Sequence, residues 1–457
     1  MSKPFIFKFG GSSLQTAERL NQVLELITAF DQPLVIVTSA LGGITNLLVE
    51  ACENPALLDE YRQKLYQHHL QLILELGLPA SVLTEVEAHL DDTLKDLTAD
   101  GTTLTNQQRD RVLSIGERLS TYLVARTLEV RGLRSAYLDS RKVIRTDSSW
   151  GDARIDLTIT RDQAREIIQP LLKAGTIPVV TGFLGSNANG ETTTIGRNGS
   201  DLTATILGTC LETREVWIWT DVDGIFTADP RYHQGARILP EISFREAAEA
   251  AFFGASVIHP HTLWPVLETD VAVRVKNTLN PRSPGTLICR EPENRGNVLI
   301  TTSVDDVSVI TVGGYGMIGV PGIAATIFAA VKETGTNVLM ISQSSAEHNI
   351  TFVIRDHDVQ QTITSLERAL AEWIEKDHRI DRVRVVSDVA IVTVVGENMR
   401  GRYGIAGTVF SALGQHKINV IAIAQGSSEY SISMVLKLDD MRHAVDIIHG
   451  ELDNNGN

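Results

Sequence analysis

At 457 residues the chain has room for two or three domains and a large buried core. Its 41 Lys+Arg against 56 Asp+Glu leave a net charge of −15, which argues against nucleic acid or an anionic membrane as a principal partner. No charged-then-apolar leader precedes the first strand, no apolar run approaches ~18 residues, and Cys52, Cys210 and Cys289 have neither paired nor metal-like spacing, so a reduced, cytoplasmic protein is expected.

Phe5-Ile-Phe-Lys8-Phe reads as a buried strand. Gly10-Gly11 then permits a tight turn, and Ser12-Ser13 opens a helical pattern from Leu14 to Ile27. A strand, a Gly-Gly turn and a helix start gather backbone N–H groups around one point, and Lys8 adds a movable positive charge, so the constellation suits a phosphoryl group. It is not a Walker A loop, because Gly-x-x-x-x-Gly-Lys-Ser/Thr occurs nowhere in the chain. Leu34-Val-Ile-Val-Thr38-Ser39-Ala has the continuous apolar run of a parallel strand, and Gly42-Gly43-Ile-Thr45-Asn46 again leads into a helix. Ligands of open α/β sheets lie at such carboxyl ends.

From about Pro55 to Arg131 the pattern is helical, and Gly116-Glu117 sits within it; the glycine permits close approach of a backbone or a ligand. Strands are expected at Ser135–Leu138 and Lys142–Ile144, then a polar turn over Thr146–Gly151, a helix near Arg161–Ala174 and a core strand Thr176–Thr181. The polar stretch Asn187–Asp201, with Gly196-Arg197-Asn-Gly-Ser200-Asp201, runs up to a helix expected to begin at Leu202, and loops of this kind carry function on rigid scaffolds. Val216-Trp-Ile-Trp219-Thr220-Asp221 is a strand ending in an acidic turn, a helix follows from Ile242 to Phe253, and the strand Val271–Val275 delivers Lys276. The alternation predicts one α/β domain around a mainly parallel sheet, with helices on both faces, to about residue 295.

Beyond a turn-rich linker lies a repeat. Gly322 and Gly404, Gln343 and Gln425, Glu347 and Glu429, and Ile350 and Ile432 are each separated by 82 residues. Each copy reads βαββα, which predicts two α+β modules over 304–385 and 386–457 that complete each other or interdigitate.

With Lys8-Phe-Gly-Gly-Ser-Ser, Gly116-Glu117, Thr194-Ile-Gly-Arg197-Asn-Gly-Ser200-Asp201, Trp219-Thr-Asp…Asp229-Pro-Arg231 and the duplicated module, the chain resembles aspartate kinase, an amino-acid-kinase domain joined to two ACT domains. The helical stretch at 55–131 resembles that family's insertion. The resemblance implies ATP- and Mg²⁺-dependent phosphorylation of the L-aspartate β-carboxylate. It assigns phosphoryl transfer to Lys8, Gly10, Gly11 and Asp201, and the amino acid to Ser39, Thr45, Glu117, Arg197 and Ser200. Nucleotide falls to Lys8, Gly10, Ser12, Thr220, Asp221, Phe226, Arg231, Ser256 and Lys276. Ser256 stands where many members have a lysine, so weakened nucleotide affinity is expected. The ACT pair implies an effector amino acid at Gln343, Ser344, Ser345, Gln425 and Ser427, with threonine favoured over lysine, and a homodimer or dimer of dimers. No fused homoserine dehydrogenase is expected, since the chain ends within the second module. The rival readings are a kinase for another amino acid and a non-catalytic amino-acid sensor. His259 and His261 read as structural rather than metal-binding.

Overall fold

A computed structural model describes residues 2–94, 103–255, 257–293, 299–344, 348–375 and 379–454. The chain forms two compact units: Met1–Ile225 with Ile238–Phe244 and Val257–Glu293, and Phe226–Arg237 with Arg245–Ser256 and Asn294–Asn457. The division is not a single cut, because two short segments of the middle of the chain group with its C-terminal part.

Among the described residues the first unit has ten strands: β1 (Phe5–Phe9), β2 (Leu34–Thr38), β3 (Ser135–Leu138), β4 (Ile177–Thr181), the hairpin β5 (Leu184–Ser186) and β6 (Thr192–Thr194), β7 (Glu215–Thr220), β8 (Glu241–Ser243), β9 (Ala272–Asn277) and β10 (Thr286–Cys289). Eight of them form one sheet in the order β3-β4-β2-β1-β7-β9-β10-β8, with every neighbouring pair parallel except β9–β10. β1 and β2 are buried over their whole length, as the apolar β-branched run predicted. Helices α1 (Ala17–Thr28), α2 (Ile44–Glu53), α3 (Leu58–Glu75), α4 (Ala80–Leu94), α5 (Asn106–Val130), α6 (Leu157–Lys173) and α7 (Gly199–Leu211) follow. The insertion thus resolves into α3, α4 and α5, and its leucines share one core with Phe7, Leu24 and Leu48. α5 starts on a capping box between Thr105 and Gln108.

Two local expectations are corrected. Lys142–Ile144 is not a strand: Asp139 accepts the Arg141 N–H, and Val143 and Ile144 both donate to the Ser140 carbonyl, so the backbone closes into a 3₁₀ turn over Ser140–Lys142. Helix α7 begins at Gly199, three residues before Leu202, because Asn198 takes the left-handed cap conformation (φ 54°). Ser200 and Asp201 therefore sit in its first turn.

In the second unit the segment Phe226–Arg237 is followed by helix α8 (Phe244–Phe252) from Arg245 onward. The short α9 (Pro260–Leu263) belongs to the first unit. Then come β11 (Ile300–Gly313), α10 (Ile323–Glu333), β12 (Met340–Gln343), β13 (Asn349–Arg355), α11 (Val359–Glu375), β14 (Arg382–Val395), α12 (Ile405–Gln415), β15 (Ala422–Gln425), β16 (Ser431–Lys437) and α13 (Met441–Asn454). The six strands form one antiparallel sheet, β12-β13-β11-β14-β16-β15. The repeat is visible in the backbone: Gly322 and Gly404 share φ 94°, and Asp306 and Asp388 sit at φ 54° and 56°. At those aspartates the long strands β11 and β14 change partner. β11 pairs with β13 only from Val307 on, β14 pairs with β16 only from Val389 on, and β11 and β14 pair with each other through both halves. Each repeat therefore borrows a fourth strand from half of the other repeat's long strand. Among the described residues no helix is long and apolar enough to cross a membrane.

Candidate active site

β1 lies in the middle of its sheet, with Phe9 in register with Thr38 on one side and Trp219 on the other. The three carboxyl ends therefore present Gly10, Ser39 and Thr220 along one edge, the place where open α/β sheets bind ligands. Lys8 points to the face opposite Phe7 and Phe9 by the period of the strand. It is 8% exposed, and a buried ammonium needs a counter-charge. Asp201, carried in by the first turn of α7, supplies it: Nζ lies 2.6 Å from Oδ1. Two glycines make the packing possible. A Cβ on Gly11 would stand 2.8 Å from the Ala40 carbonyl oxygen, and one on Gly182 would stand 2.5 Å from the Cβ of Ser200.

Helix α5 brings Glu117 to the same turn. A Cβ on Gly116 would meet that of Ala40 at 2.7 Å, so the helix rests directly on the turn after β2. The Ser120 hydroxyl donates to the Ser39 carbonyl at 2.5 Å, and Thr38 and Thr121 share a hydroxyl hydrogen bond of 2.6 Å. Glu117 is 5% exposed, and burial pushes its carboxyl up to about 8. The Ala40 N–H, its own N–H and the charge of Lys8 act in the opposite direction. A carboxyl held this way gains from any cation placed beside it.

The remaining expected residues are placed unequally. Ser200 is buried beside Gly182, whereas Arg197 is exposed on the turn between β6 and α7. Gly196, in the left-handed region at φ 80°, has no room for a Cβ, which would lie 2.5 Å from Asp152 Oδ1. Ser39 is half-buried, while Ser12 and Thr45 are exposed. Thr220 donates to Asp221 Oδ1 at 3.1 Å, and Asp221 itself is exposed. Lys276 is buried; its ammonium donates to the carbonyls of Pro281, at 3.0 Å, and Ser283, and lies 5.5 Å from the Trp217 and Trp219 rings. That holds the loop after β9 rather than leaving the charge free. His259 caps α9, accepting the His261 N–H at 3.2 Å.

Phe226 and Arg231 belong to the second unit, and the Arg231 fork is taken by Asp229 at 2.6 to 3.0 Å. Ser256 lies outside the described residues. Gln343 and Gln425 end the two edge strands of the six-stranded sheet, both exposed, and Ser427 is exposed in the turn that follows. Ser344 shares a 3.3 Å hydrogen bond with His348, and Ser345 lies outside the described residues. Cys52 and Cys210 are buried, their thiols pushed up to about 11.

Sequence reasoning passed over the hydroxyls that seat the loops. Ser13 and Thr278, 265 residues apart, share a 2.8 Å hydrogen bond. It also passed over Asp110, whose signal was available: seven residues before Glu117, two helical turns, puts both on one face of α5.

A model of the amino acid kinase family matches residues 3–277, and an ACT domain model matches residues 310–370 and 392–452. The chain is 32% identical over 464 residues to the bifunctional aspartokinase/homoserine dehydrogenase 2 of Arabidopsis thaliana, covering 97% of this chain and 50% of the relative. It is 33% identical over 455 residues to aspartokinase 3 of the same plant, covering 97% and 80%. The chain thus spans about half the length of the bifunctional relatives. Among solved structures it matches E. coli aspartokinase III in complex with aspartate and ADP, with a TM-score of 0.81 and 30% identity over 99% of this chain and 100% of that one. The same enzyme in complex with lysine and aspartate matches with a TM-score of 0.83. The chain belongs to the amino acid kinase family, and within it to the aspartokinases that carry ACT domains.

Proposed function

We propose that the chain transfers the γ-phosphoryl group of Mg²⁺-bound ATP to the β-carboxylate of L-aspartate, under feedback from an amino acid bound at its ACT modules. The observation that carries this reading is the pairing of Lys8 with Asp201 at the edge where Glu117 is held by the Ala40 N–H. A carboxylate acceptor is already ionised at neutral pH, so no general base is required. The task is to bring two anions together and to stabilise charge on the moving phosphoryl. Lys8 supplies positive charge at the end of the central strand, and Asp201 fixes its position. Glu117 would hold the substrate ammonium, and Arg197 offers a planar fork for its α-carboxylate. Mg²⁺ enters as part of the nucleotide. Support comes from the E. coli relative, which has been seen with aspartate and ADP.

Threonine is the effector we favour, on the sequences of the turns after Gln343 and Gln425; lysine, bound by the E. coli relative, is the competing choice. The edge strands carry exposed Ile341 (49%) and Ile423 (46%), which suits pairing with a second copy and hence a homodimer. With Ser256 in place of a lysine, Ser256→Lys is expected to lower the nucleotide KM. An unchanged KM would remove that idea.

The test is an ATP/Mg²⁺ assay with L-aspartate, trapping the acyl phosphate as its hydroxamate, with threonine or lysine added. Turnover suppressed by threonine alone supports both parts of the reading. Turnover indifferent to either amino acid keeps the kinase and removes the feedback. ATP binding without hydroxamate from aspartate overturns the kinase assignment in favour of a sensor or another acceptor.

A further inference from the structure

A buried carboxylate outside the residues already assigned ties three parts of the first unit together. Asp110 is 1% exposed. Its Oδ2 accepts the N–H of Thr194 at 2.7 Å and of Gly151 at 3.0 Å, and its Oδ1 accepts the Thr194 hydroxyl at 2.9 Å. Three donors on one carboxylate offset much of the cost of burying its charge. Thr194 is the last residue of β6, and its own carbonyl accepts the Ala153 N–H at 2.9 Å, so the loop over 151–153 is held once by Asp110 and once by Thr194. Two residues further on, Gly196 packs against Asp152 of that loop with no space for a Cβ. Arg197 follows immediately.

Asp110 and Glu117 lie two turns apart on one face of α5. We propose that Asp110 is a positioning residue that sets the turn bearing Arg197 at a fixed distance from Glu117, and so fixes the spacing between the two charges that would grip an α-amino acid. The inference rests on the substrate assignment above. A purely structural anchor would lower stability and scale activity down uniformly. A positioning residue weakens the amino-acid substrate selectively, because nucleotide affinity does not depend on the span from Glu117 to Arg197.

Two variants test it. Asp110→Asn places an amide NH₂ against backbone donors, and Thr194→Val removes only the hydroxyl donor, with Thr194→Ser restoring it. We expect the KM for aspartate to rise by about tenfold in Asp110→Asn and by roughly threefold in Thr194→Val, with the ATP KM within twofold of the parent. Thr194→Ser should return to the parent value. Hydrogen exchange on the unliganded proteins should show lost protection in peptides spanning 148–153 and 192–197. Lost protection with an unchanged aspartate KM, or equal rises in both KM values, overturns the proposal, as does Thr194→Ser behaving like Thr194→Val. Because exchange needs no substrate, a failure of the parent protein to phosphorylate aspartate is read separately. It removes the substrate assignment, and with it the role given to Asp110, while the exchange data still report whether the latch exists.

Discussion

The residues gathered around Lys8 at the end of the central strand and those of the Asp221–Arg231 stretch are held in opposite ways. Lys8, Glu117, Ser200 and Asp201 are all less than a tenth exposed, and the core of the first unit fixes each of them. On the nucleotide side, Asp221 and Arg231 are exposed, and the stretch Phe226–Arg237 belongs to the second unit. There it is fastened to α13, the last helix of the second ACT copy. His449 Nε2 lies 2.8 Å from the Thr227 hydroxyl, His233 bonds Asp446 at 2.7 Å, and Arg237 pairs with Asp453 at 2.8 Å. The geometry around Lys8 is thus a property of the first unit itself. The segment Phe226–Arg237 takes its position from α13, and under the proposed nucleotide assignment this would give an effector a mechanical route to ATP.

The largest effect should come from the buried pair. Lys8→Met is expected to lower kcat by about 10²–10³-fold in the hydroxamate assay, the scale of losing one preorganised electrostatic group. It also leaves Asp201 buried and uncompensated, so the melting temperature should fall. Asp201→Asn in the same background should recover stability without activity. If Asp201→Asn recovers activity too, Lys8 does not act on the phosphoryl group.

Glu117→Gln should raise the aspartate KM by about 100-fold, since the substrate ammonium would lose its counter-charge in a buried setting. The pH dependence sharpens the point. With its carboxyl pushed up to about 8, Glu117 should be largely protonated at neutral pH before an ammonium binds. Binding an ammonium favours the ionised form, so binding at pH 7 should release a proton, and the aspartate KM should fall as pH rises toward 8 and then level. Calorimetry in two buffers of different ionisation heat measures the released proton. No difference between buffers would mean Glu117 is ionised before substrate arrives.

His69 offers a stability measurement confined to the first unit. It is fully buried in α3, its Nδ1 2.7 Å from the Leu65 carbonyl, and burial lowers its pKa from 6.5 to about 4. A depressed histidine pKa means that the native state holds the neutral ring. Its contribution is complete above about pH 6.5 and is lost as pH falls toward 4, on the order of 3 kcal/mol. His69→Leu should flatten that part of the stability curve, measured by denaturant unfolding from pH 4 to 7.

How much of this was legible in the sequence follows from the distances involved. The repeat showed itself because Gly322 and Gly404 occupy the same left-handed position, which few residues but glycine adopt, so the two copies kept the same letter there. The swap of partners at Asp306 and Asp388 did not show, since a polar residue inside an apolar run reads as a strand end. Lys8 and Asp201 each stood out within a motif, but nothing in their spacing announced the ion pair between a central strand and the first turn of a later helix. Lys276 read as a free charge at a strand end because the carbonyls that bind it, from Pro281 and Ser283, belong to a turn whose path no local pattern encodes. The attachment of Phe226–Arg237 to α13 is hidden for the same reason, with partners more than 200 residues downstream.

That attachment yields the smallest effect and the most discriminating one. His449 is 2% exposed, and its pKa is lowered chiefly by burial; Asp453 and Asp446 act to raise it, His233 and Arg237 to lower it further. The ring is therefore neutral at pH 7 and hydrogen-bonds the Thr227 hydroxyl. His449→Ala removes that bond and the contact with His233, and should raise the ATP KM by about threefold to tenfold while leaving the aspartate KM unchanged. Thr227→Val should reproduce the shift, and the double variant should show little beyond the larger single effect, as expected for two ends of one contact. Acid should mimic the mutation once pH falls far enough below the ordinary histidine range to protonate the buried His449 ring, so the ATP KM of the parent should rise there and that of His449→Ala should not. If both KM values move together in His449→Ala, the segment from Phe226 to Arg237 is only a structural join, and the proposed feedback would need another path to the nucleotide.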